Sequence, residues 1–185
     1  MFLQQLPGFT VIPGVDGGLV AQVCAGMSRA AQFGRPHILY TEPDKGDFFD
    51  ARLSTFVGAA PDASGNAGVV IPARDEASFR TYPAIQQRAE RIINSLWGDV
   101  IGIEGDYSYG PFLMPTEMLR HVQDLGASVG WGWRHRVFLI ARRTGRPLVH
   151  IAAHHPCPAD GQMEEGAERA HRLRQLSQNI LGLIE

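Results

Sequence analysis

The sequence predicts an α/β domain, a mostly parallel sheet with helices on both faces. Three observations carry that reading. Segments of helical period alternate with strand-like runs along the chain, the pattern of a sheet covered by crossover helices. The strand-like runs are short and apolar, as buried strands are. Polar clusters follow those runs directly, at the carboxyl ends of strands where such sheets hold their ligands.

The elements follow in order. Residues 17–34 form a helical pattern with Leu19, Val23, Met27 and Ala30 on one face, Asp16 as its cap and Gly34 as its stop. Residues 37–41 (HILYT) read as a buried strand, and 47–57 as a helix with Phe48, Leu53 and Phe56 inward. The stretch 58–68 (GAAPDASGNAG) is small and turn-rich and reads as a surface loop. Residues 68–72 (GVVIP) are strand-like. Residues 83–97 form a second clear helix, opened by Pro83 with Thr81 as cap. Residues 99–103 (DVIGI) read as a strand, and 115–125 as a proline-started helix. Residues 133–144 are helical up to Gly145, and 147–153 are a strand. The last helix spans 164–184, with Leu173, Leu176, Ile180 and Leu183 on one stripe. On it, Glu165 and Glu168 precede Arg169 and Arg172 at the spacing of helical ion pairs. No internal repeat interrupts this order, so residues 1–185 are expected to form one domain.

Composition bounds the function. The chain has 185 residues, 44% hydrophobic, with a net charge of -2. A domain of this size buries roughly 70% of its unfolded surface. That balance excludes disorder, and a pI near 6.4 argues against nucleic acid as a partner. The two cysteines, Cys24 and Cys157, are too far apart for a zinc pair and read as buried thiols of a reducing compartment. Residues 1–13 carry no signal-peptide pattern, and no run approaches the roughly 18 apolar residues of a membrane span. A cytoplasmic location is the expectation.

Five constellations can do chemistry. Tyr40-Thr41-Glu42-Pro43-Asp44-Lys45 follows the first strand, and its two carboxylates leave the strand end together, able to reach one hard cation. A solvated polar turn is the alternative. His150, His154 and His155 end the last strand, and a neutral imidazole there is a fit ligand for Mn²⁺. Gly130-Trp131-Gly132-Trp133-Arg134-His135 opens a helix. Its tryptophans offer flat faces to a sugar ring or to the core: one is expected in the core, and the other could face a ligand or the core as well. Glu104-Gly105-Asp106-Tyr107-Ser108-Tyr109-Gly110 is a glycine-punctuated loop in which Asp106 could serve as general base and the phenols could bond hydroxyls. Arg74, after the 68–72 strand, could hold a phosphate, or could sit in a surface ion-pair cluster with Asp75 and Glu76. No P-loop and no G-x-S-x-G elbow is present.

Over most of 17–158 the chain resembles the later two-thirds of a GT-A-type, family-two-like nucleotide-sugar glycosyltransferase. Residues 17–34 and 37–44 look like the family's helix and strand that end in an acid-x-acid metal motif, with Glu42-Pro43-Asp44 in its place. Gly130-Trp131-Gly132-Trp133 looks like the family's segment near the acceptor, and His154 or His155 like its late metal ligand. The resemblance implies a GT-A-like sheet lacking the N-terminal strand-helix-strand unit that holds the nucleotide. It also implies a Mn²⁺ or Mg²⁺ cofactor, and a nucleotide-sugar and an acceptor as partners. Where many inverting members place an acidic pair, this chain has Arg134-His135. Asp106 could then be the base, or a retaining reaction could need none.

Three readings follow. The first is a metal-dependent glycosyltransferase. Glu42, Asp44 and His154 or His155 hold the ion, Lys45 or Arg74 faces the phosphates, and Tyr107, Tyr109, Trp131, Trp133 and Arg134 contact substrate. The second is a non-catalytic remnant or interaction module of the same fold, self-associating through an exposed apolar edge. The third is a metal-dependent hydrolase using the same acids and histidines.

Overall fold

A computed structural model describes residues 8–60, 68–162 and 166–184. The predicted 58–68 loop falls mostly outside them, as do Glu165 and the expected start of the last helix. Among the described residues, four strands form one sheet in the order β1-β3-β2-β4: β1 (His37–Tyr40), β2 (Val69–Arg74), β3 (Phe112–Pro115) and β4 (Leu148–Ala153).

The sheet is mixed, which corrects the expectation of a mostly parallel one. β3 lies antiparallel between β1 and β2, pairing His37 with Pro115 through Tyr40 with Phe112 on one side and Val70 with Leu113 on the other. Only β2 and β4 pair in parallel, from Val69 with Leu148 to Arg74 with Ala153. The consequence for function is directional. β1, β2 and β4 all end at one edge of the sheet, and β3 begins there.

Period-two alternation divides the core between the two faces. Val69, Ile71, Phe112 and Met114 face a large cluster. It is filled by α1 (Gly18–Ala31), α4 (Ala84–Ile101), α5 (Leu119–Val122), α6 (Trp133–Arg143) and α7 (Gly166–Ile184). Val70 belongs to a second, smaller cluster with Phe48, Phe56 and Tyr109, joined by Leu113 and Val149. That face is covered by a π-helical turn, Phe48–Arg52, running into α2 (Leu53–Ala59). Between β2 and α4 lies the short α3 (Glu76–Phe79), capped by the Asp75 carboxylate on the Ser78 amide.

Three local expectations need correction. Residues 99–103 are no strand: α4 runs on to Ile101 and stops at Gly102, whose φ of 72° favours glycine. The predicted 115–125 helix is instead the end of β3, a 3₁₀ turn (Thr116–Met118) and the single-turn α5. Neither proposed side-chain cap forms. α1 starts from Gly17 without one, and the Thr81 hydroxyl donates to Ser78 O while accepting from the Cys157 amide. On α7 the Glu168–Arg172 pair forms at 2.7 Å, while Leu173 lies 56% exposed, off the packed stripe of Leu176, Ile180 and Leu183. Cys157 is buried, Cys24 is half-buried, and no disulfide joins them. Among the described residues, no helix is long and apolar enough to cross a membrane.

Candidate functional site

The strand ends open onto a cleft of about 640 Å³. Its walls are the 40–45 turn after β1, Arg74 at the end of β2, and Ser108 and Tyr109 before β3. Residues 156–158 after β4, Trp131 and Arg134 at the start of α6, and one face of α7 complete it. This is the strand-end location expected from the alternating pattern, and the reversed β3 contributes to it by its first end.

Glu42 is the hub of the near wall. Its carboxylate accepts from Arg134 Nη1 at 3.0 Å and from the Tyr40 hydroxyl at 3.4 Å, and Lys45 Nζ lies 3.6 Å away. Lys45 also pairs with Asp44 at 3.0 Å and sits 5.8 Å from the centre of the Tyr109 ring. Gly110, at φ 125°, makes room for this hub, because a side chain there would run into Glu42 and Arg134. The Arg134 guanidinium stacks 5.5 Å over Trp131, while its Nε is enclosed without a partner. The two tryptophans part: Trp133, also a candidate for substrate contact, is 1% exposed and packed edge-on to Tyr40 in the core, and Trp131 lines the cleft.

The floor is a second ionic cluster. Arg74, its side chain 1% exposed, donates to Asp106 through Nε at 2.7 Å and Nη2 at 2.9 Å, and to Glu90 at 2.7 Å. Its backbone amide, the Asn94 amide and the Ser108 amide also donate to Asp106. Burial opposes ionisation of Asp106, but the Arg74 charge and these hydrogen bonds outweigh it and hold its carboxyl below the usual range. Asp106 lies outside the cleft lining, and what it does there is fasten the 104–110 loop to the end of β2. Arg74 is likewise spoken for, sandwiched between Tyr82 at 4.5 Å and Phe79 at 4.7 Å.

The expected metal shell is not assembled. Among the described residues, no group of three His, Cys, Asp or Glu side chains comes together to hold an ion. Glu42 is engaged by Arg134. Asp44 points outward, 69% exposed, beside Lys45. His154 turns to Ser78 at 3.0 Å and Asp75 at 3.4 Å. His155 is 5% exposed and stacks on Tyr109 at 4.7 Å, and burial with the charges of Arg52 and Arg74 pushes it down to about 4. The donor set therefore does not fit the ion that the sequence pattern suggested. Tyr107 also lies outside the cleft, stacked on Trp97 and bonded to Ile103 O, whereas Tyr109 lines it, burial raising its hydroxyl to about 12.

The sequence reading missed α7 as a wall. Glu168, Arg172, Gln175 and Asn179 face the cleft, and Arg172 is held by Glu168 and Gln175. Asn179 is 5% exposed, and its Oδ1 accepts no hydrogen bond. Leaving such a group unmet costs about 1–3 kcal/mol. The available signal was polarity at 168, 172, 175 and 179, the helical spacing of one face.

No family model matches the chain, and no curated protein matches it. Among solved structures it is similar to the crystal structure of glucosyl-3-phosphoglycerate synthase from Mycobacterium tuberculosis in complex with phosphoglyceric acid. The two are 19% identical, with a TM-score of 0.41 over 94% of this chain and 57% of that one. The chain thus spans a little over half the length of that structure, and at this TM-score the likeness carries no argument.

Proposed function

We propose that the chain is a glycosyltransferase-like protein that holds a nucleotide-sugar donor in the strand-end cleft and passes the sugar to an acceptor hydroxyl. The observation that carries this reading is one convergence: the Glu42-Pro43-Asp44 turn, Lys45, Arg134 and the Trp131 face meet in a single cleft at the carboxyl edge of the sheet. In the transfer, the acceptor oxygen bonds to the anomeric carbon as that carbon's bond to the phosphate oxygen breaks. The leaving diphosphate gains charge, and Lys45, more open than the buried Arg134, is the cation placed to meet it. Glu42 orients Lys45. Asp106 is a positioning residue through Arg74 and not the base, and the departing phosphate takes the acceptor proton in a retaining transfer.

The test is thermal melting with UDP, GDP, ADP and their sugars, each with MnCl₂ and with EDTA. A ligand at a hundred times its Kd adds about 2.7 kcal/mol to stability by mass action. One nucleotide is expected to raise Tm, and Lys45→Ala is expected to remove the rise without lowering the melting point of the free protein. No rise with any nucleotide would defeat the reading.

One observation favours a second reading, a sugar-binding module without catalysis. Each of the four cleft cations already has a carboxylate: Lys45 with Asp44, Arg74 with Asp106, Arg134 with Glu42 and Arg172 with Glu168. Binding of free sugars with no response to any nucleoside diphosphate would select it.

A further inference from the structure

We propose that α7 supplies the sugar-reading wall of the cleft, with Asn179 bonding the hydroxyls of an uncharged hexose ring that lies on Trp131. The proposal deepens the glycosyltransferase reading and rests on it only in taking this cleft as the ligand site.

Four observations lead there. Asn179 is buried on the cleft wall with its Oδ1 unmet, although native structures rarely leave a buried polar atom without a partner. The oxygen is enclosed beside the cleft, and a turn about χ2 would be what brings it to a ligand hydroxyl, which both donates and accepts. Arg134, on the same cleft, likewise carries an enclosed polar atom without a partner, its Nε, a donor where Asn179 has an acceptor. Trp131 lies against both elements, under the Arg134 guanidinium and tied to α7. Its backbone amide donates to Gln178 Oε1 at 3.1 Å, the residue beside Asn179, so ring and amide are held by one contact. Finally, the charges on this side cancel in pairs, Arg134 with Glu42 and Arg172 with Glu168. An anionic sugar would have to break a pair to be held, and a neutral ring would not. A flat apolar face beside unmet hydrogen-bonding groups with no net charge suits a hexose, whose ring pairs apolar C–H faces with a hydroxyl rim.

The experiment titrates the full chain with D-glucose, D-mannose, D-galactose and N-acetylglucosamine, and in parallel with D-glucuronate and glucose 6-phosphate. Tryptophan fluorescence and saturation-transfer NMR report binding. Trp97 and Trp133 are enclosed, so a fluorescence change reports Trp131, and Trp131→Phe is expected to abolish it. The discriminating variant is Asn179→Leu. A structural asparagine would be missed on melting, whereas an unmet one is not. Asn179→Leu is therefore expected to keep or raise Tm while weakening the hexose at least fivefold, and Asn179→Ala to weaken it similarly if leucine does not fit. Unchanged hexose affinity in the variants overturns the proposal. So does tighter binding of the anionic sugars, or no hexose binding by the wild type. The nucleotide melting assay separates the two readings. Hexose binding that depends on Asn179 without a nucleotide response leaves the subsite and removes the transferase, and the reverse pattern does the opposite.

Discussion

Arg74 shows how a residue type read correctly for its chemistry can be claimed by the fold. One guanidinium answers two carboxylates, Glu90 and Asp106, in a place where its side chain is 1% exposed. Removing one partner of such a cluster strands the others without water. Arg74→Met is expected to cost about 3–5 kcal/mol in urea unfolding, and a loss below about 1 kcal/mol would show that the cluster is dispensable. The histidines make a second residue-scale prediction. His155 sits at about 4 when folded, and burial also lowers His135 and His150. All three are neutral in the native state at pH 7. Below the unfolded value of about 6.5 the unfolded chain binds protons that the native state refuses, so stability falls as pH drops from about 6.5 towards 4. A tenfold difference in proton affinity is worth about 1.4 kcal/mol, so His155 accounts for at most about 3.5 kcal/mol of that fall. Asp106, lowered instead from a carboxylate value, adds its own loss only below about pH 4. His155→Phe keeps the stack on Tyr109 and is expected to flatten the upper window. An unchanged pH profile would place the proton elsewhere. Sequence could nominate Glu42, Lys45, Trp131 and Arg134 because acid, cation and aromatic clusters after strands are local features. It could not tell that Asp106 faces Arg74 rather than the cleft, since that pairing spans residues far apart in the chain.

At the scale of elements, the misreadings share one cause. β3 is four residues, preceded by Pro111 and ending on Pro115, with no polar–apolar alternation in its sequence, and it is a strand because β1 pairs with it along its whole length and β2 meets it at Leu113. Residues 99–103 carry the opposite error. A short apolar run looks like a strand, yet it continues the period of α4 until Gly102. The long helices were legible because their periodicity is local and repeated. What sequence did not show is how closely α7 approaches the 3₁₀ segment before α6 (Ala127–Gly132). Gly132 and Gly182 meet backbone to backbone, and a Cβ on either would strike the other segment's main chain. That approach sets the distance between Trp131 and the α7 face. Gly182→Ala is expected to lose about 1–3 kcal/mol by overpacking, and to weaken any cleft ligand along with it. Wild-type stability in this variant would mean that α7 can slide without penalty.

Across the whole molecule the two faces of the sheet are unequal, and the cleft straddles them. One face carries a core shared by α1, α4, α5, α6 and α7, with Trp97, Trp133, Phe138 and Met114 fully enclosed. The other is closed by the 48–59 segment, which brings Phe48 and Phe56 to a small cluster and leaves Phe49 and Val57 exposed. Local opening follows the number of apolar groups that must be uncovered. The 48–59 segment is therefore expected to open by itself, at a free energy well below that of global unfolding, while α4 and α6 open only with the whole. Phe48 and Asp47, at its start, line the cleft beside Lys45. A ligand there touches the segment only when it is closed, so it must slow the segment's opening by the factor 1 + [L]/Kd. Native-state hydrogen exchange checks both parts. Amides of 53–59 should exchange faster than those of α4 in the free protein, and should slow in proportion to ligand occupancy. Equal protection in both places would mean that the small cluster is as strongly held as the large one. Slowing confined to the global class would place the ligand away from the turn after β1.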